Sequence, residues 1–211
     1  MARRIIDLAG ACNTEREVEI PFVLDNMPES PAKLLDVSCS YSTFVIEMDK
    51  LGFDSWGIDI LDYGTSYDKF IKADARNIPF ENNYFDIVTC ISALEHYGLV
   101  ETPYHSDAIY DPQAPVKATK EMARVLKDDG IIILTLPFGY AENKETLKWI
   151  KFYNSNMIKQ LIDAADLKII KKQIKTLKDK IWAEVSEEEG EKVLTTDKVN
   201  CNVSLILGKI C

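Results

Sequence analysis

The feature that most constrains this chain is a regular exchange of short, largely apolar runs with segments of helical spacing. A strand buried on one face alternates apolar and polar residues, whereas a strand covered on both faces reads as a continuous apolar run. Segments closer to the second kind, bounded by turn residues, read as strands at Lys33 to Val37, Asp54 to Asp59, Phe70 to Ala73, Phe85 to Ile91 and Ile131 to Leu136. Between the first two, Ser42 is placed to cap a helix in which Phe44, Val45, Met48 and Leu51 recur at helical spacing and Gly52 ends the pattern. A second helix is predicted from about Pro115 to Leu126, with proline in the first turn where a missing N–H is harmless. Asp128-Asp129-Gly130 then predicts a turn into the fifth strand. A helix from about Ser155 to Ala165 and two late strands, Leu167 to Lys175 and Cys201 to Leu207, complete the order. Such an alternation predicts a parallel sheet with helices on both faces, closed by right-handed crossovers into a doubly wound α/β fold.

Length and charge narrow the rest. The 211 residues suit one domain, preceded by residues 1–31, in which Glu15 to Leu24 can form a helix despite Pro21. The reading divides the chain into an N-terminal extension or cap helix, 1–31, and a domain, 32–211. With 34 acidic against 25 basic residues and a net charge of -9, whole-molecule steering towards nucleic acid or an anionic membrane is disfavoured. The longest apolar run, around Ile131 to Phe138, is too short to span a bilayer. The apolar stretch after Met1-Ala2-Arg3-Arg4 breaks at Asp7, so no signal peptide is read and a cytoplasmic location is expected. Cys12, Cys39, Cys90, Cys201 and Cys211 lack CxxC spacing and are expected as free thiols. The lysines from Lys168 to Lys180 are expected on the wet face of a strand, and Glu187-Glu188-Glu189 in a solvated loop or helix end. The oligomeric state is left open, a homodimer included.

In doubly wound sheets ligands bind beyond the carboxyl ends of the strands, where strand order reverses. The residues there are Leu34-Leu35-Asp36-Val37-Ser38-Cys39-Ser40-Tyr41-Ser42, Gly57-Ile58-Asp59, Ala73-Asp74-Ala75, Ile78-Pro79-Phe80 before Phe85-Asp86-Ile87-Val88, and Arg124-Val125-Leu126-Lys127-Asp128-Asp129-Gly130. In this order they resemble the motifs of the class I S-adenosylmethionine-dependent methyltransferases, of the type 11-like kind, over roughly residues 30–210. Ser92-Ala93-Leu94-Glu95-His96-Tyr97-Gly98-Leu99 after the fourth strand is similar to a bacterial and archaeal subgroup found with polysaccharide and glycoconjugate biosynthesis. The resemblance implies a single-domain Rossmann-like sheet of about seven strands, mostly parallel, with one antiparallel strand near the C-terminus. It implies S-adenosylmethionine as cofactor, held by Asp36, Ser38, Ser40, Asp59, Ile60, Asp74, Ala75 and Ser92.

Chemistry agrees with those positions. A carboxylate ending the second strand can accept both ribose hydroxyls, and Asp59 lies 23 residues after Asp36, near the offset of about 20 expected when one helix intervenes. Asp74 can accept from an adenine amino group while the Ala75 amide meets a ring nitrogen; a turn-forming aspartate is the alternative. Asp36 can orient the loop and a methionine ammonium, or be a buried strand-end acid tied to backbone amides. The loop departs from the family in carrying Ser38, Ser40 and Ser42 where glycines are usual. Glycine permits φ > 0 and close backbone approach, and a serine forced left-handed costs about 1 kcal/mol or more. Either the hydroxyls serve the cofactor or the pocket has degenerated.

The two histidines, His96 and His105, both follow the fourth strand. His96 is the expected general base or substrate-orienting group with Glu95 as helper; the alternative is a histidine that only hydrogen-bonds its loop. Tyr97, Tyr104, His105 and Tyr110 are expected to bind substrate in a polar, aromatic lid over residues 97–115. His105, Asp107 and Asp111 fit no defined metal motif, and no metal is expected. The function read from these residues is methyl transfer to a small-molecule or glycan acceptor, by O-methylation. The alternative is a non-catalytic protein of the same fold that binds a metabolite or protein partner. Methylation of RNA or protein is a third option, against which the acidic charge counts.

Overall fold

Leu34 and Leu35 are consecutive, point to opposite sides of one strand and are both fully buried, as a sheet covered on both faces requires. The computed structural model describes residues 14–39, 42–62, 64, 66–100, 109–195 and 198–210. Its elements are α1 (Arg16–Asp25), β1 (Lys33–Val37), α2 (Phe44–Lys50), β2 (Asp54–Asp59), β3 (Phe70–Lys72), β4 (Phe85–Ile91), α3 (Ala114–Val125), β5 (Leu126–Pro137), β6 (Tyr140–Ala141), α4 (Ser155–Ala164), β7 (Leu167–Lys178), β8 (Ile181–Glu184), α5 (Glu187–Glu191), β9 (Leu194–Thr195) and β10 (Cys201–Lys209). The main sheet runs β3-β2-β1-β4-β5-β10-β7-β8. β3, β2, β1, β4 and β5 are mutually parallel. β10 is antiparallel to both β5 and β7, and β8 is antiparallel to β7.

The sheet therefore has eight strands rather than about seven, and two of them, β10 and β8, oppose the rest. β8 is a hairpin return. Lys178 pairs with Ile181 across Asp179-Lys180, both of which take positive φ (52° and 64°), the mirror-image turn that suits strand twist. The turn predicted at Asp128-Asp129-Gly130 is absorbed into β5. Phe85 pairs with Leu126 and Ile87 already with Ile131, so the intervening residues form an irregularity within the strand. Gly130 belongs there because a Cβ would lie 2.8 Å from the Asp86 carbonyl.

The core has two halves divided by the sheet. On one face, Ile20, Phe22 and Val23 of α1 and Phe44 and Met48 of α2 pack on Leu34, Ile87, Ile133 and Ile206. On the other, Ala118, Met122 and Val125 of α3 and Ile158, Leu161 and Ile162 of α4 pack on Leu35, Val88, Leu134 and Leu205. The expected N-terminal cap helix is thus part of the core as well, with Val23 wholly buried. Glu187–Glu191 is a helix end that begins with a capping box, Ser186 and Glu189 bonding each other's backbone. Cys39, Cys90 and Cys201 are buried free thiols. No helix among the described residues is long and apolar enough to cross a membrane.

Candidate active site at the strand ends

Strand order reverses between β1 and β4, and the residues beyond that gap build the site. Ser38 follows β1 with φ at +65°, the conformation the first glycine of such a loop would take. The conformation is held by two backbone bonds that any residue could make and by one side-chain contact that glycine could not. The Ser38 and Cys39 amides both donate to the Ile58 carbonyl, at 2.8 and 3.2 Å. The Ser38 hydroxyl lies 2.5 Å from the Tyr97 hydroxyl. Room for the loop comes from β2, where a Cβ on Gly57 would lie 2.5 Å from Cys39 Sγ. The glycine missing from the loop is, in effect, supplied by the neighbouring strand. Ser42 accepts from the Phe44 amide at 3.0 Å, so it braces the entry to α2 one residue earlier than a true cap. Ser40 lies outside the described residues.

Asp36 is 3% exposed and accepts from Thr89 Oγ1 at 2.6 Å. Burial raises its carboxyl to about 7 and the neighbouring Asp59 adds to this, while Thr89 and Arg16 pull the other way. Asp59 ends β2; one oxygen accepts from the Leu61 amide at 2.9 Å and turns the chain so that Ile60 is exposed. Asp74 is engaged. Both its oxygens accept from Arg76, the shortest contact being 2.6 Å, and Arg76 continues to Asp111 and from there to Lys117. Burial opposes ionisation of Asp74, but Arg76 outweighs it and holds the carboxyl below its ordinary range. An adenine amino group would compete with that clamp. Ala75 is buried in the core.

Beyond β4, Ser92 takes φ +43°; its amide donates to Thr135 Oγ1 and its hydroxyl to Glu19 Oε1, at 3.0 and 2.5 Å. Its side chain is therefore tied to Glu19 of α1. A single 3-10 turn, Leu94–His96, follows. His96 Nδ1 lies 2.6 Å from the Trp149 carbonyl, which can only accept, so Nδ1 carries the proton and Nε2 the lone pair. The imidazole stacks on the Trp149 ring with centroids 5.9 Å apart. Burial holds it below the usual histidine range, hence neutral at neutral pH. Its Nε2 is 3.9 Å from Glu95 Oε1. Glu95 is 2% exposed, and burial pushes its carboxyl well above the ordinary value, with Glu19 and Glu15 adding to the effect and Arg16 opposing it. Its second oxygen is buried without a hydrogen-bond partner.

Sequence reasoning missed two charged residues of α1 at this site. Glu19 of α1 is wholly buried and accepts from Arg16 Nη1, Ser92 Oγ and Asn202 Nδ2, the last at 2.7 Å. Arg16 Nη1 also donates to the Ile91 carbonyl at the end of β4, at 3.2 Å. A signal existed: Glu19 sits among Val18, Ile20, Phe22 and Val23, an acid within the apolar face of its helix. The expected lid residues divide. Tyr97 is half-buried against the core and engaged with Ser38, so it braces the loop rather than standing in a lid. Tyr110 is 63% exposed. Asp111, weighed as a metal ligand, is neutralised by Arg76 and Lys117. Tyr104 and His105 lie outside the described residues.

A doubly wound sheet whose switch point carries a left-handed loop between two acids has the architecture of the class I methyltransferases. Residues 35–134 match the family model described as a methyltransferase domain. Among curated proteins, the ubiquinone/menaquinone biosynthesis C-methyltransferase UbiE of Stutzerimonas stutzeri is 30% identical over 156 residues, covering 74% of this chain and 49% of that protein. The demethylmenaquinone methyltransferase of Staphylococcus haemolyticus is 28% identical over 183 residues, covering 66% of this chain and 70% of that protein. The chain thus spans about half the length of the first of these relatives. A crystal structure of an S-adenosylmethionine-dependent methyltransferase from Methanosarcina mazei superposes with a TM-score of 0.61 at 16% identity, over 90% of this chain and 97% of that one. The Burkholderia thailandensis 1,6-didemethyltoxoflavin-N1-methyltransferase, solved with S-adenosylhomocysteine, gives 0.57 at 11% identity, over 92% and 76%. Residues 35–134 thus resemble a methyltransferase domain, and the chain has the fold of the class I S-adenosylmethionine-dependent methyltransferases. The residues fit that cofactor: Ser38 keeps the φ the loop needs, and Asp36 and Asp59 flank it with acids suited to a cation and a diol.

Proposed function

We propose that the chain transfers a methyl group from S-adenosylmethionine to a small acceptor bearing a hydroxyl, with His96 removing the hydroxyl proton. When bound, the cofactor supplies an electrophilic methyl group on a sulfonium. The observation that carries the reading is the state of His96: Nδ1–H is fixed on the Trp149 carbonyl, leaving a neutral imidazole with its lone pair on Nε2. A base oriented through its other ring nitrogen is the arrangement that proton removal needs. Burial raises the Glu95 carboxyl well above its ordinary range, which disfavours a competing negative charge beside the imidazole. Asp59 and Ile60 hold the ribose and adenine edge, and Asp36 faces the methionine end. Trp149, stacked on the His96 ring and 37% exposed, supports a flat, largely apolar acceptor.

Removing a hydroxyl proton prepares either the oxygen or, on an aromatic ring, the adjacent carbon for attack. O-methylation is the outcome expected from the sequence; the relatives named as C-methyltransferases support the carbon of a hydroxylated ring. A glycan hydroxyl is the polar version of the same chemistry. The test is methyl transfer from labelled S-adenosylmethionine to a panel of phenols, hydroquinones and sugars, with products separated by mass. Turnover of hydroxylated rings, lost in His96→Ala, is expected. Turnover unchanged in His96→Ala overturns the role of His96. Failure of the wild-type chain to bind S-adenosylmethionine at millimolar concentration favours a non-catalytic relative.

A further inference from the structure

Among the described residues, Arg16 is the one cation whose field reaches Asp36, Glu95 and His96 together. It is placed by two contacts, both made by the same nitrogen. Nη1 donates to Glu19 Oε2 at 3.0 Å and to the Ile91 carbonyl at 3.2 Å. Nε and Nη2, the other edge of the guanidinium fork, hold no group among the described residues, and the side chain is 29% exposed. The position follows from register. β1 and β4 pair as Asp36 with Thr89; two residues further along each strand come Ser38 and Ile91. Arg16, anchored on Ile91, therefore stands over the switch-point gap beside the loop that receives the cofactor's methionine end. Glu19 is itself locked by Ser92 and Asn202, so the guanidinium is held by a buried acid that cannot swing away.

We infer that Arg16 is the carboxylate clamp of the site: the outer edge of its guanidinium, held in place on the core-packed α1, takes the carboxylate of the amino-acid end of S-adenosylmethionine. The inference rests on the cofactor reading above. A planar fork matches a carboxylate in a two-point contact that a lysine cannot reproduce. The neighbours suit the rest of that end. Glu19 and Asp36 offer negative charge to the ammonium and sulfonium, and the unpartnered buried oxygen of Glu95 offers one further polar contact. A zwitterion with both signs is matched by a site with both signs; a simple anion would meet the acids unbalanced.

The experiment is a calorimetric cycle with two ligands on the full chain. S-adenosylmethionine carries the carboxylate; decarboxylated S-adenosylmethionine keeps the adenosine, sulfonium and ammonium and lacks only that group. Wild-type protein is expected to bind the first about tenfold or more tightly than the second, the scale of one charged hydrogen-bonded contact. In Arg16→Gln the gap closes, because the affinity for S-adenosylmethionine falls while that for the decarboxylated ligand holds, which also reports that the variant is folded. Arg16→Lys is expected between the two. Equal loss of both ligands in Arg16→Gln, or loss of neither, overturns the clamp while leaving the cofactor reading standing. A wild-type chain that binds neither ligand overturns the cofactor reading, and the clamp with it.

Discussion

Asp36 carries a charge cost that a single substitution can expose. Its carboxyl is buried among Leu34, Leu35 and the wall of β4, faces Arg16 on one side and Asp59 on the other, and is raised from 3.8 to about 7. An acid raised in the folded state binds more protons there than in the unfolded chain between those two values. Stability therefore falls as pH rises through that window and levels off above about 7. Each tenfold change is about 1.4 kcal/mol, so the full cost is about 4 kcal/mol, and about 2–3 kcal/mol of it appears between pH 5 and 8. Asp36→Asn keeps an oxygen for Thr89 Oγ1 and removes the charge. For a domain of this size, the variant is expected to gain about 5–10 °C in midpoint relative to wild type on going from pH 5 to 8. The assay is thermal or urea unfolding of both proteins, free of ligand, at the two pH values. Glu95 titrates in both and cancels in the comparison. Parallel pH profiles for the two proteins would refute the buried-charge account of Asp36.

Three further outcomes are expected. The rate of methyl transfer should rise with pH and reach its plateau below the ordinary histidine range of about 6.5, because burial lowers His96 and the base must be neutral; His96→Gln should flatten that acid limb, and an unchanged profile would remove His96 from the proton path. Gly57→Ala puts a methyl group 2.5 Å from Cys39 Sγ and should cost about 1–3 kcal/mol as overpacking; adding Cys39→Ala should recover most of it, and a purely additive double mutant in urea unfolding would contradict the contact. Gly98 has φ +73° and its Cβ would lie 1.8 Å from the Asp111 carbonyl, so Gly98→Ala should speed proteolysis between Leu99 and Tyr110 and cost about 1–3 kcal/mol of stability; cleavage at the wild-type rate would contradict it.

Much of the sheet was legible because burial on two faces leaves no polar register in the strands, as Phe85-Asp86-Ile87-Val88-Thr89-Cys90-Ile91 illustrates. The edge was not. β8 is mostly exposed and is joined by Asp179-Lys180, a turn that takes positive φ without the glycine or asparagine that normally marks it. Asp128-Asp129-Gly130 has the composition of a turn, but its outcome depended on where β4 paired, which is tertiary information. The places of Asp36, Asp59 and the Glu95-His96 turn at the strand ends were readable, because the strands themselves set them. What the sequence hid was partnership. Arg16 and Glu19 have the i, i+3 spacing of an ordinary surface ion pair, and only the packing of α1 on β10 takes Glu19 out of water. Asp74 read as an open acceptor because nothing in its sequence neighbourhood says that Arg76, two residues on, turns back onto it.

The Asp111 amide donates to the Gly98 carbonyl at 3.0 Å, and that single bridge draws together the two ends of the stretch that follows β4. Gly98 is itself anchored through the Leu94–His96 turn and Asp111 through Arg76 and Lys117. Whatever lies between these two posts can change in length and composition without altering strand pairing, since its end-to-end distance is already set. On the function proposed above, that is a short route to new acceptors: a cassette of about a dozen residues can be exchanged while the strand frame beneath it keeps its pairing.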